Sequence, residues 1–175
     1  MSIHRGLRLS LLLLAAAMAG CSSYSPVPVS EDPVQVAVLP VINESGLPQI
    51  VAPLARNLRE KVAHSANFEL VPAEAAEAKL RVTVLDLDSE ALARDSRDTG
   101  RPLSYYEEVR VSVEWISDLP APWGTDQPII VSADQILYAQ PALVDARTNA
   151  TAGVAERLAE MIVQRLDWAG SASTN

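Results

Sequence analysis

Apolar residues along this chain change their spacing several times, and each spacing predicts an element. The run "VQVAVLPVIN", Val34 to Asn43, is almost continuously apolar. Such a run predicts a strand that is buried on both faces or central in a sheet. Pro40 has no N–H to give a ladder, so it belongs near the strand end or on an edge segment. "ESGLP" then turns the chain. In "QIVAPLARNLREKVAHSA", Ile50, Leu54, Leu58 and Val62 recur every four residues, and Val51 and Ala55 widen the stripe. This spacing predicts an amphipathic helix over 49–65. Pro53 then falls in the first turn, where the N–H groups have no intrahelical partner.

"NFELV" predicts a short strand, and "PAEAAEA" a helical turn or linker. In "KLRVTVLDLDS", Leu80, Val82 and Val84 alternate with Lys79, Arg81 and Thr83, which gives a strand with two unlike faces. "EALARDSRDTGRPLS" is a polar connection. "YYEEVRVSVEWIS" alternates most clearly: Val109, Val111, Val113 and Trp115 face one way, and Glu108, Arg110, Ser112 and Glu114 the other. "DLPAPWGTDQP" holds too much proline for regular structure. "IIVSADQILYA" reads as a last strand, with an irregularity expected around Ala133 and Asp134. A second helix follows in "NATAGVAERLAEMIVQRLDW", striped by Val154, Leu158, Met161, Ile162 and Leu166, with Thr148 or Asn149 as its cap. The order β-α-β-β-β-β-α predicts an α+β fold. It is a two-layer sandwich with both helices on one face of a small mixed four-stranded sheet.

The first 33 residues follow another logic. His4, Arg5 and Arg8 precede an apolar run, Leu9 to Met18, and small residues lead to Cys21. This is the layout of a secretory signal peptide. A run of about ten residues is far short of the roughly 20 that cross a bilayer as a helix. Met18-Ala19-Gly20-Cys21 resembles the bacterial lipobox, which implies cleavage before Cys21 and acylation of its thiol and amine. Two or more acyl chains hold a protein firmly to a membrane. Ser22 after the cysteine points to the outer membrane. Residues 1–20 are therefore read as the signal peptide and 21–33, rich in Ser and Pro, as a lipidated flexible tether. Residues 34–168 form one domain, and 169–175 a disordered tail.

Charge and residue content narrow the function. The chain carries 22 acidic and 14 basic residues. Loss of the leader takes two arginines with it and makes the mature chain more acidic still. Nucleic acid is not expected as a partner, because such binding needs a basic footprint. Cys21 is the single cysteine, so no second thiol exists for a disulfide, and acylation leaves no free thiol as a nucleophile. His64 is the only histidine after the leader. Its place near the end of the first helix suits an imidazolium at a helix C-terminus. Asp86 and Asp88 share a strand face but lack a third carboxylate or glycine loop to complete a calcium site. No serine has a plausible histidine partner. No phosphate-binding glycine loop is present. Neither catalysis, a metal nor a cofactor is expected.

The ordered set "VAVLPVINES", "LARNLREKVA", "FELVPAEAAEAKLRVTVLDLD", "YYEEVRVSVEW" and "VAERLAEMIVQRL" resembles the lipopolysaccharide-assembly lipoproteins called LptE. The likeness spans Val34 to Trp168 and lies in order and spacing. It departs at Cys21-Ser22-Ser23-Tyr24, where many members have an aromatic, glycine-rich start. The resemblance implies a non-enzymatic role as plug and assembly partner of an LptD-like outer-membrane β-barrel. Lipopolysaccharide would be inserted into the outer leaflet, and the domain would stand on the periplasmic side or inside the barrel lumen. Curli-secretion subunits and activators of penicillin-binding proteins open with a similar strand, so a subunit of another envelope complex is the alternative. A periplasmic module binding a small ligand is a third reading. Within the connection between two strands, Arg94, Arg97 and Arg101 gather beside Gly100. They are the candidate contact to lipopolysaccharide or to the barrel, because guanidinium groups pair well with phosphate. The competing reading is a solvated loop in which Asp95 and Asp98 neutralise them.

Overall fold

The computed structural model of the protein describes residues 32–98, 100–138 and 143–170. The expected leader, Cys21, all but the last two tether residues and the tail beyond Gly170 lie outside the described residues. Among the described residues are six strands and two α-helices: β1 (Val34–Val38), β2 (Ile42–Asn43), α1 (Val51–His64), β3 (Phe68–Leu70), β4 (Ala78–Arg94), β5 (Pro102–Ser117), β6 (Ile129–Tyr138) and α2 (Leu143–Gly170). The sheet order is β3-β1-β4-β5-β6, and β2 also pairs with β4. Pairings among β1, β2, β3 and β4 are parallel, whereas β4-β5 and β5-β6 are antiparallel.

The α+β class and the mixed sheet agree with the sequence pattern, but the four-stranded count does not. Pro40 breaks the apolar run in two. Leu39 N–H still bonds to the Leu80 carbonyl at 3.0 Å, and pairing with β4 resumes only at Ile42. The short Phe68 segment is a true strand, paired with β1. Val36, Ala37 and Val38 are all buried, as their continuous apolar run requires.

Both helices cover one face of the sheet with their apolar stripes. Leu54, Leu58 and Val62 of α1, and Val154, Leu158, Ile162 and Leu166 of α2, are almost wholly buried. They meet Leu80, Val82 and Val84 of β4 and Val109, Val111 and Val113 of β5 in one core. Truncating one such leucine to alanine costs about 2–5 kcal/mol. A 3₁₀ turn, Pro48–Ile50, leads into α1, so Pro53 sits in its first turn as expected. "PAEAAEA" forms a turn in which Ala75 N–H bonds to the Pro72 carbonyl.

Three other expectations are corrected. Helix α2 begins at Leu143, so Thr148 and Asn149 lie inside it and do not cap it. Strand β6 pairs with β5 without a register shift, so there is no irregularity at Ala133 or Asp134. Most of the connection "EALARDSRDTGRPLS" is strand, because β4 runs on to Arg94 and β5 starts at Pro102.

Candidate functional site

That last correction turns the proposed loop into the tip of a long hairpin. Between the two strands, residues 95–98, 100 and 101 lie outside the ladder, closed by Asp95 N–H to the Arg101 carbonyl at 3.0 Å. Their side chains shape the turn. The Asp95 carboxylate accepts Arg97 N–H at 2.8 Å, and the Asp98 carboxylate accepts Gly100 N–H at 3.1 Å. Aspartates that bond backbone two residues on are a local turn device. One oxygen of each carboxylate thus accepts a backbone amide within the turn. Arg94 ends β4, Arg97 lies in the turn and Arg101 precedes β5, all three exposed. The structure thus brings them to one end of the hairpin.

Apolar side chains are exposed at the same end. Leu92, Ile136 and Tyr138 are 53%, 55% and 69% accessible. The register ties them to the hairpin: Ile136 lies opposite Tyr106, and Tyr138 opposite Ser104, which itself faces Ala93. Their positions in a polar connection and on one strand of alternating character gave no sign that they would share this end.

The uncovered sheet face carries charge pairs. Arg110 donates from Nε and Nη2 to the two oxygens of Asp86, at 2.9 and 2.8 Å. Asp86 accordingly raises the Arg110 pKa. Arg81 donates to Glu114 at 2.7 Å. The Tyr106 phenol is raised above its usual value by desolvation, then by Asp134, Glu108 and Asp88. Asp86 is thus engaged by an arginine, and among the described residues no group of three or more metal-ligating side chains occurs.

A bulge decides which way these groups point. Val84 pairs with Val111, but Asp86 pairs with Arg110, so Leu85 is the extra residue. The insertion shifts the phase of β4 by one. Leu87 then packs against the core, while Asp86 lies on the open face beside Arg110. Without the shift, Asp86 would share the face of Val84 and be buried as a charge.

Sequence reasoning missed a charge on the covered face. Glu107 of β5 is fully buried. Its Oε1 accepts Arg147 Nε of α2 at 2.9 Å, and Arg147 Nη2 as well. Gln135 Nε2 of β6 donates to Oε2 at 3.1 Å, and Ser89 Oγ of β4 to Oε1 at 3.3 Å. One carboxylate thus ties three strands to the N-terminal half of α2. A signal existed, because Glu107 has the same parity as Val109. His64 plays the modest part expected of it: Nδ1 lies 2.6 Å from the Glu60 carbonyl in the last turn of α1.

No curated protein matches the sequence. Among solved structures, rare lipoprotein B from Shewanella oneidensis is similar, with TM-score 0.57 and 16% identity, covering 81% of this chain and 99% of that one. A hypothetical protein from Chlamydia trachomatis has TM-score 0.54 and 15% identity, covering 82% and 100%. A Xanthomonas campestris protein has TM-score 0.55 and 9% identity, covering 86% and 92%. At these identities the likeness speaks for the fold alone. The family model for LptE, described as lipopolysaccharide-assembly, matches residues 34–166. With its sheet, helices and hairpin accounted for, the chain belongs to the LptE lipopolysaccharide-assembly family, whose members are non-enzymatic lipoproteins.

Proposed function

We propose that this protein is an outer-membrane lipoprotein, anchored through acylated Cys21, and that it acts as plug and assembly partner of an LptD-like β-barrel. The family match over residues 34–166 carries the reading. The hairpin supports it, since a tip with Arg94, Arg97 and Arg101 beside exposed Leu92, Ile136 and Tyr138 suits a ligand with both phosphate and acyl groups. Arginine pairs with phosphate in a planar, two-bond geometry, and the apolar rim suits the hydrocarbon. The domain stands on the periplasmic side or inside the barrel lumen.

Isolation in mild detergent tests the partner. A large outer-membrane β-barrel should copurify, and lipopolysaccharide with it. A self-assembled ring or a cell-wall synthase in its place points to the alternative envelope complex and sinks this reading. Replacing Arg94, Arg97 and Arg101 together by Ser tests the tip. The melting curve should hold, because exposed charges contribute little to stability, while binding to lipopolysaccharide or the barrel weakens, most of all at low salt. Radiolabelled palmitate should enter the wild type and not the Cys21→Ala variant.

A further inference from the structure

Among the described residues, strand β6 is an edge of the sheet, with β5 on one side and no strand on the other. An edge strand presents unpaired backbone groups, which natural proteins cover, blunt or use. Here part of the edge is capped. Arg157 of α2 donates its guanidinium to the backbone carbonyl of Asp134 at 2.5 Å. That bond shows that the Asp134 carbonyl points out of the sheet. In an antiparallel strand the direction repeats every second residue, so Ile130 and Ser132 also turn N–H and C=O outward.

Beside this uncapped half lies a groove of about 610 Å³ between β6 and α2, lined by Ile130, Val131, Ser132, Met161, Gln164 and Arg165. Its helical wall is Met161, Gln164 and Arg165, and Arg157 continues the stripe of Met161 and Arg165 one turn earlier at intervals of four. Arg157 sits at Asp134, and Arg165 shares the groove with Ile130, Val131 and Ser132, so helix and strand run antiparallel. Eight helical residues rise about 12 Å, and four strand residues about 13 Å. The two steps match, with one guanidinium at Asp134, beyond the groove, and the other residue, Arg165, in its lining. Neither arginine forms an ion pair among the described residues. Arg165 is the charged residue that lines the groove; the nearby Glu160, which accepts from the lining Gln164 Nε2 at 3.3 Å, is already paired with Lys61.

We infer that the β6 edge is a strand-addition site for an extended peptide segment of a partner, carrying two acidic side chains four residues apart. Its backbone pairs with Ile130 and Ser132. Side chains on its helix-facing side alternate with those on its outer side, and residues four apart share a side. Both carboxylates therefore face α2 and reach Arg157 and Arg165. The intervening outward residues are apolar and extend the exposed surface of Ile130 and Ile136, each 55% accessible. Main-chain bonds supply affinity and the spaced charges supply register, as in other cases of strand addition. This inference does not rest on the barrel reading.

The test uses the full-length protein in detergent and a fluorescent octapeptide with valine at odd positions. Glutamates stand at positions 2 and 6, and threonines at the other even positions. A second peptide has glutamates at positions 2 and 5, which fall on opposite sides. Anisotropy should show the first binding about tenfold tighter than the second, a factor that one well-placed ion pair supplies. Ser132→Pro removes an outward N–H while sparing the bonds to β5, and proline is tolerated on edge strands. Arg165→Glu reverses one charge at an exposed position. Both variants should lose about tenfold in affinity for the first peptide, and Arg165→Glu should keep its melting curve. Equal binding of the two peptides, no binding of either, or indifference to Arg165→Glu overturns the proposal. So does sedimentation showing that β6 joins a second copy of the chain in preference to the peptide.

Discussion

The long β4–β5 hairpin is built in two ways along its length. Below the bulge at Leu85, Leu80, Val82, Val84, Val111 and Val113 press against two helices. Above it, Leu87 and Val109 still reach the core, but β4 beyond them is largely exposed, and the strands are held by their backbone ladder, by a turn of aspartate–amide bonds and by the buried cluster at Glu107. The lower half draws its stability from apolar burial, which scales with area and needs no particular partner. The upper half depends on a few directional bonds, each of which fails if one atom is missing. A hairpin with a firm root can thus carry a polar, amphiphilic tip well away from the core.

Substitutions of graded severity would break or sharpen this contrast. The largest effect is expected at the root. Val111→Asp places an unpaired charge in the core, at a cost of several kcal/mol, and cooperative thermal unfolding should be lost. A melting curve like that of the wild type would show that the root is not held by burial. Glu107→Gln comes next. It leaves the Arg147 guanidinium without its carboxylate, and removing one partner of a buried pair costs about 3 kcal/mol or more. Denaturant titration reads the loss. Amide exchange should quicken in the first turns of α2 and leave Val82 and Val111 protected. Uniform loosening of both halves would erase the distinction.

The bulge offers a finer test. Deleting Leu85 regularises the ladder and keeps Leu87 inside and Asp86 outside, so the fold should survive with a modest loss. Deleting Asp88 reverses every later side chain of β4 and should expose the upper half to protease. Equal damage from the two deletions would mean that the bulge does not set the phase. The smallest change is expected from Arg110→Ala on the open face. Its two-bond contact with Asp86 is exposed, and such pairs contribute little to stability. A loss of several kcal/mol in denaturant titration would make the outer face a structural element in its own right.

Much of this fold was legible because local periodicity and burial agree. Every four-residue apolar stripe became the buried side of a helix, and the alternation from Val109 to Trp115 became two faces of a strand. The misreadings have a shared cause. Polar sequence does not mean loop where a neighbouring strand supplies the ladder: residues 90–94 read as connection, yet they pair with residues 102–106 of β5. The start of α2 was hidden in the same way, because Arg147 is drawn onto the sheet by a carboxylate 40 residues earlier in the chain.

The sequence by itself determined the two helical stripes, the alternating strands and the acidic balance. It also determined the position of the lone cysteine after an apolar leader. All of these depend on neighbours within a few residues. Only the tertiary structure decided that Pro40 would divide one strand into two and that Leu85 would bulge to turn Asp86 outward. It alone buried Glu107 with a partner, and it alone brought Leu92, Ile136 and Tyr138 to the end of the arginine hairpin. These outcomes rest on strand register and on contacts between distant segments. A one-residue shift there exchanges inside for outside, and no local pattern records which register wins.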